Sequence, residues 1–155
     1  MRQRCRGFTL LELMVVMVLI GMLLGMVSLV GGNNPAQVAR QEASRIARMI
    51  EQFRERAVLE GQEFGVGFSL EGYRVLRLDA QGWQPLTALQ QWPADLHAQL
   101  VLDGLPVRLL NSAPAPQLLM LSSDEISAFS LLLASRERVW AGLASDGLSE
   151  VTLDE

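Results

Sequence analysis

One carboxylate in this sequence stands where a carboxylate is expensive. Glu12 opens an apolar stretch, and from Leu13 to Val30 there follow 18 residues without a charge, broken only by Gly21, Gly25 and Ser28. At the centre of a membrane helix an acid costs about 2.5–3.5 kcal/mol; near the end of the run the cost is lower but not zero. An intramembrane acid as a rule has a partner and a function, yet no basic residue lies within the run. Ahead of it stand Arg2, Arg4 and Arg6, followed by Gly7-Phe8.

Other residues with chemistry to offer do not form a constellation. His97, Ser122, Ser123 and Asp124 suggest a hydrolase, but no G-x-S-x-G elbow is present. Cys5 is the only Cys and His97 the only His, which excludes intrachain disulfides, Cys-based zinc sites and multi-His metal sites. All 13 basic residues are Arg, so Walker A loops and Lys Schiff-base chemistry are excluded. Asp124-Glu125, Asp146, Asp154 and Glu155 offer oxygens to calcium, but the EF-hand spacing is missing and Asp-Gly is ordinary turn chemistry. Trp83, Trp92, Trp140, Tyr73 and Phe129 read as core or interface anchors. The inventory gives no catalytic residue, no cofactor and no metal site, and a chain that is not an enzyme.

The elements around Glu12 give it a setting. With 155 residues, the chain allows about one domain. Half its residues are apolar and its mean hydropathy is +0.23, too apolar for a disordered chain. Phe8–Val30 is 23 residues. At 1.5 Å per residue that is roughly 35 Å, against about 30 Å of hydrocarbon. The three Arg before it, with none just after, place the N-terminus in the cytoplasm and the rest of the chain across the membrane. An ordinary secretory signal peptide is the competing reading. It wants a short apolar region and an A-x-A-like site, whereas here the run is long and leads into Val30-Gly31-Gly32-Asn33-Asn34-Pro35. Gly21 and Gly25 form a G-x-x-x-G, a weak sign of close helix approach.

Beyond the run, Asn34 at the cap and Pro35 at the first position start a second helix. Ala39, Ala43, Ile46, Ile50, Phe53 and Ala57 recur at spacings of four and three, one apolar face of an amphipathic helix over 35–60 that ends at Gly61. Arg40, Arg45, Arg48, Glu51, Arg54 and Glu55 fall mainly off that face, on its solvated side. From 64 to 153 the pattern is of short strands. Phe64–Phe68 and Tyr73–Arg77 flank a turn at Glu71-Gly72, and a further turn at Asp79–Gly82 precedes Trp83. Leu100–Leu102 and Val107–Leu110 flank Asp103-Gly104, a hairpin signal. Leu118–Leu121, Ala128–Ala134, Val139–Ala144 and Leu148–Leu153 follow, with Asp146-Gly147 turning the last pair. Helix first, then antiparallel strands, is an α+β arrangement. Gly61–Glu155 holds five Arg against twelve acids, a net −7, a field that repels a long polyanion, so no nucleic acid is expected as a partner.

Gly7-Phe8-Thr9-Leu10-Leu11-Glu12-Leu13 resembles the class III signal of type IV pilins and type II secretion pseudopilins. The resemblance implies that 1–7 is a leader cut by a prepilin peptidase after Gly7, that Phe8 becomes the N-methylated terminus, and that Glu12 serves assembly by pairing with a neighbouring subunit's amine. The pilin-like fold it implies is a long N-terminal helix, transmembrane (8–30) then amphipathic (35–60), packed on a β-rich antiparallel head within 31–155. Gly65-Val66-Gly67-Phe68, Gly72-Tyr73-Arg74-Val75-Leu76 and Gln117–Glu125 resemble more narrowly the H-type minor pseudopilins. For that family the implied place is the cell inner membrane, as a single-pass protein with its N-terminus cytoplasmic and its head in the periplasm. The implied work is joining a pseudopilus that drives export of folded proteins across the outer membrane. Its implied partners are the other minor pseudopilins of the tip complex and the major pseudopilin, between which it forms the link. The alternative is a type IV minor pilin of pilus assembly or DNA uptake, which would want a basic stripe on the head.

Overall fold

The computed structural model describes residues 10–30, 34–136 and 138–154. Gly7 and Phe8, with the other residues of 1–9, lie outside the described residues. The chain divides into two units, Met1–Asn34 and Pro35–Glu155, each described by itself.

In the first unit, α1 runs Leu10–Val30 over 21 residues. Leu, Met, Val and Ile occupy all sides, so the helix has no polar face to present to water. Leu10 is 79% exposed and Met17 65%. Counting only residues described with their side chains, no helix is long and apolar enough to cross a membrane. That portion of α1, Leu10–Met22, covers about 20 Å of axis.

In the second unit, α2 runs Pro35–Glu60 over 26 residues. It starts at the Pro, as the cap chemistry predicts, and stops at Gly61. Gly61 takes φ +60, and the Gln62 N–H donates to the Ala57 carbonyl at 3.1 Å, the hydrogen bond of a Schellman cap, which glycine makes without steric cost.

Among the described residues, ten strands follow in two antiparallel sheets. The first holds β1 (Phe64–Phe68), β2 (Gly72–Asp79), β3 (Gly82–Pro85) and β7 (Leu118–Met120) in the order β3-β2-β1-β7, with β4 (Gln90–Gln91) pairing the start of β2. The second holds β5 (His97–Leu102), β6 (Leu105–Val107), β8 (Phe129–Ala134), β9 (Val139–Ser145) and β10 (Thr152–Asp154) in the order β10-β9-β8-β5-β6. The apolar face of α2 packs across both sheets. Ala39, Ala43, Ile46, Ile50 and Ala57 are buried against Phe64, Val66, Phe68, Leu118, Met120, Leu131, Leu133 and Leu143. The small residues let the helix approach the sheets closely, and Ile46 and Ile50, fully buried, are each worth about 1.5–3 kcal/mol of transfer free energy.

Several sequence expectations shift. The first hairpin pairs Phe68 with Tyr73, so its turn centres on Leu70-Glu71. Gly72 instead opens β2, where a Cβ would meet the Gln90 carbonyl oxygen at 1.9 Å. After Asp103-Gly104 the strand is Leu105–Val107, not Val107–Leu110. Both turn residues have positive φ (48 and 80), and such a tight turn pairs Leu102 directly with Leu105. The last strand is Thr152–Asp154 rather than Leu148–Leu153, because Leu148 and Ser149 give their N–H groups to Asp146. Phe53 is only half-buried, its ring 5.3 Å from that of Phe64. Arg54, expected on the solvated side, is buried, as is Glu42.

Candidate assembly surfaces

Glu12 sits in the first turn of α1, where the partial positive charge of a helix start favours an acid. It is solvent-exposed among exposed apolar side chains on both sides, Leu11 at 72% and Leu13 at 56%. Gly21 has open space where a Cβ would stand, so no contact within its own unit requires glycine there. Gly7 and Phe8, the two processing residues expected from the sequence, lie outside the described residues.

In the second unit, the residues that suggested a hydrolase are not brought together. His97 is exposed at the start of β5, while Ser123 donates to Glu125 and Asp124 is taken by Arg54. No group of His, Cys, Asp and Glu able to hold a metal ion occurs among the described residues. The aromatic anchors behave as packing. Trp92 stacks on Phe68 with centroids 6.4 Å apart and lies 5.1 Å from Tyr73. Its indole N–H reaches the Ser69 carbonyl at 3.0 Å. Trp140 lies under the Arg138 guanidinium, 3.8 Å from the ring centroid, a cation–π contact.

Two polar clusters fasten α2 to the sheets. Near its start, Tyr73 donates its hydroxyl to the buried Glu42 carboxylate at 2.7 Å, and Arg45 pairs with the other oxygen at 3.3 Å. Burial, reinforced by the adjacent carboxylate, pushes the Tyr73 hydroxyl well above its ordinary pKa. Further along, Arg54 directs its guanidinium at four acceptors. Its Nε reaches the Asp124 carboxylate at 2.9 Å and the Asp124 carbonyl at 3.1 Å; its Nη atoms reach the Leu148 carbonyl at 3.0 Å and the Ser149 carbonyl at 3.2 Å. One side chain thus ties α2 to the β7–β8 and β9–β10 loops. The second loop is also held from within. Asp146 accepts from the Ser149 N–H at 2.8 Å, the Leu148 N–H at 3.0 Å and the Ser149 hydroxyl at 3.1 Å. These donors hold its carboxyl below the usual aspartate pKa.

The functional residues that the sequence reading missed are Glu42 and Arg54. The available signal was the same for both, a charged residue four positions from a face residue: Glu42 before Ile46, and Arg54 after Ile50.

The Prokaryotic N-terminal methylation motif matches residues 2–28, a span that includes Gly7, Phe8 and Glu12. Type II secretion system protein H of Pseudomonas aeruginosa is 39% identical over 92% of this chain and 91% of its own length. The protein of that name from Escherichia coli K12 is 31% identical over 84% of this chain and 81% of its own. Among solved structures, the minor pseudopilin EpsH of the Vibrio cholerae type II secretion system matches with a TM-score of 0.66 at 24% identity, covering 76% of this chain and 96% of that one. The solution structure of E. coli GspH matches with a TM-score of 0.63 at 25% identity, covering 80% and 93%. With a helix on two antiparallel sheets behind a methylation motif, and relatives matched over nearly their whole length, the chain belongs to the type II secretion system protein H family, the H-type minor pseudopilins.

Proposed function

We propose that this protein works by assembly rather than catalysis. It is a single-pass inner-membrane pseudopilin with its head in the periplasm, and it enters the pseudopilus to link the tip subunits to the major pseudopilin. Residues 1–7 are the leader, Phe8–Val30 the membrane and assembly helix, and 31–155 the head. A prepilin peptidase cuts after Gly7 and Phe8 becomes N-methylated. The observation that carries this reading is the order of features at the N-terminus: three Arg, Gly7-Phe8, Glu12, then an apolar run with no polar face. Such a helix is insoluble alone and needs lipid first and neighbouring helices afterwards.

Glu12 has a job in both settings. In lipid an acid favours a nearby positive group, and processing after Gly7 creates an amine on Phe8, which makes Glu12 the fifth residue of the processed chain. A neighbour's terminal amine is the partner that assembly provides. The acidic head supports protein secretion rather than DNA uptake, since phosphate neutralisation needs cations that the head does not have in excess.

Intact-mass analysis of the protein from cells with a prepilin peptidase tests the reading. The expected mass lacks Met1–Gly7 and carries one added methyl. A mature chain that retains Arg6, or one that starts beyond Val30, refutes it.

A further inference from the structure

We propose that the groove between the second half of α2 and the β9–β10 loop docks an arginine-bearing helix face of a neighbouring filament subunit. The inference rests on the assembly reading above and names a second contact, made by the head.

The groove has a volume of about 600 Å³ and is lined by Glu55, Val58, Leu59, Asp124, Leu148 and Glu150, among others. Leu59 is 77% exposed, Leu148 74% and Val58 45%. Apolar side chains gathered round a concave surface and rimmed by charge mark an interaction site. The charge left without a partner has one sign. The only cation in the lining is Arg54, and its donors are already committed to Asp124, Leu148 and Ser149. Glu51 accepts the Val151 N–H at 3.0 Å. Among the described residues, no hydrogen bond or ion pair engages the side chain of Glu55 or Glu150. The loop that offers Leu148 and Glu150 is fixed by Asp146 and Arg54, so little ordering remains to be done on docking.

The chemistry that fits is cationic at the tip and apolar along the stem. A guanidinium pairs with carboxylates through its fork while its methylenes cover leucine and valine. This chain shows what such a face looks like. In the first half of its own α2, Arg40 and Arg48 are exposed, and the buried Glu42 between them already has Tyr73 and Arg45 as partners. The outer side of α2 is therefore basic at its start and acidic at the groove. Filaments grow by heterologous head-to-tail contacts. Subunits built on such helices would set the basic half of one against the acidic half of the next, with register favoured by charge.

The test uses the full chain expressed with its secretion-system partners. A photo-crosslinking amino acid replaces Leu59 in one variant and Leu13, in α1, in another. The expected Leu59 adduct is a helical peptide of another subunit with two or more Arg or Lys within two turns. Glu55→Arg with Glu150→Arg should lower that adduct roughly tenfold or more, since like charges facing each other are strongly disfavoured. Glu55→Gln with Glu150→Gln should lower it less, and both pairs should leave the Leu13 adduct in place. A Leu13 adduct with none at Leu59 overturns this inference alone. So does a Leu59 adduct that is indifferent to charge reversal, or one whose peptide carries no cations. Loss of both adducts in the parent overturns the assembly reading and this inference with it.

Discussion

Arg54→Ala tests whether the head is held together as described. The substitution removes four hydrogen bonds from one guanidinium, to the Asp124 carboxylate and carbonyl and to the Leu148 and Ser149 carbonyls. A hydrogen bond to a charged group is worth about 1.5–3 kcal/mol net. Four of them do not add, because they share one group and because the partners recover water to different extents. The Asp124 side chain is 62% exposed while that of Arg54 is 10% exposed. The abandoned carboxylate therefore re-solvates, and the 3–5 kcal/mol that follows from stranding a buried charge does not apply. The two loop carbonyls regain water only in part. The expected loss is about 2–3 kcal/mol, one strong interaction plus partial desolvation of its neighbours.

Urea melts of the parent and variant heads, followed by tryptophan fluorescence, read it out. With an m-value of about 1.5 kcal/mol/M, the midpoint should fall by roughly 1.3–2 M with m unchanged. Arg54→Lys keeps the charge but not the fork and should recover less than half of the loss. Arg48→Ala, on the exposed side of the same helix, should stay within about 0.5 kcal/mol of the parent. If Arg54→Ala melts with Arg48→Ala, the clamp does not fasten the loops and the argument is wrong.

Phe53→Ala should cost about 2–3 kcal/mol, below the 3–5 of a fully buried phenylalanine, because Phe53 is half-exposed beside Phe64; the same melts measure it. Tyr73→Phe leaves the buried Glu42 with Arg45 alone and should destabilise by about 1–3 kcal/mol. In the parent, an unfolded tyrosine ionises near pH 10 while the folded one keeps its proton beside Glu42, so stability should fall as pH rises past about 10. The variant should lose that part of the alkaline slope, as melts at pH 8–11 would show. Glu12→Ala should leave processing and membrane residence intact and reduce crosslinking to the adjacent pseudopilin several-fold; unchanged crosslinking would remove Glu12 from assembly.

Much of the architecture could be read from the chain because it is written locally. The Asn34-Pro35 start, the three-four spacing of Ala39 to Ala57 and the Gly61 stop are all short-range signals, and α2 has those ends. Asp103-Gly104 marked a real hairpin, although its first strand begins earlier, at His97, and its second runs Leu105–Val107 rather than Val107–Leu110. The polar fastenings were not legible for a physical reason. Arg54 meets acceptors 70, 94 and 95 residues away, and Glu42 meets Tyr73 across 31. Helical periodicity assigns a side chain to a face, but it does not say whether a distant loop will fold over that face. A long side chain at the border of the apolar stripe is where this ambiguity is greatest, since its stem can lie against the core while its head seeks a partner. Arg54 lies there, next to Phe53, and the expectation of a solvated arginine failed for that reason.

The two halves of the chain solve the burial problem in opposite ways. The second unit buries a core of leucines and isoleucines internally and gives its buried Glu42 and Arg54 partners, as a self-sufficient fold must. In α1 every described side chain is exposed, and the helix has no polar side to turn to water. A helix of that kind has no stable solitary state in water, so its partner must be another medium or another helix. On the assembly reading it has both in turn, and the exchange is nearly neutral for its apolar surface, because lipid tails and neighbouring leucines are similar solvents. A nearly neutral exchange gives no direction by itself. Glu12 supplies one, since it is the single group on that helix whose free energy depends on whether a cation stands beside it. Replacing it with an apolar residue should therefore leave the protein content in the membrane and unable to tell the two environments apart.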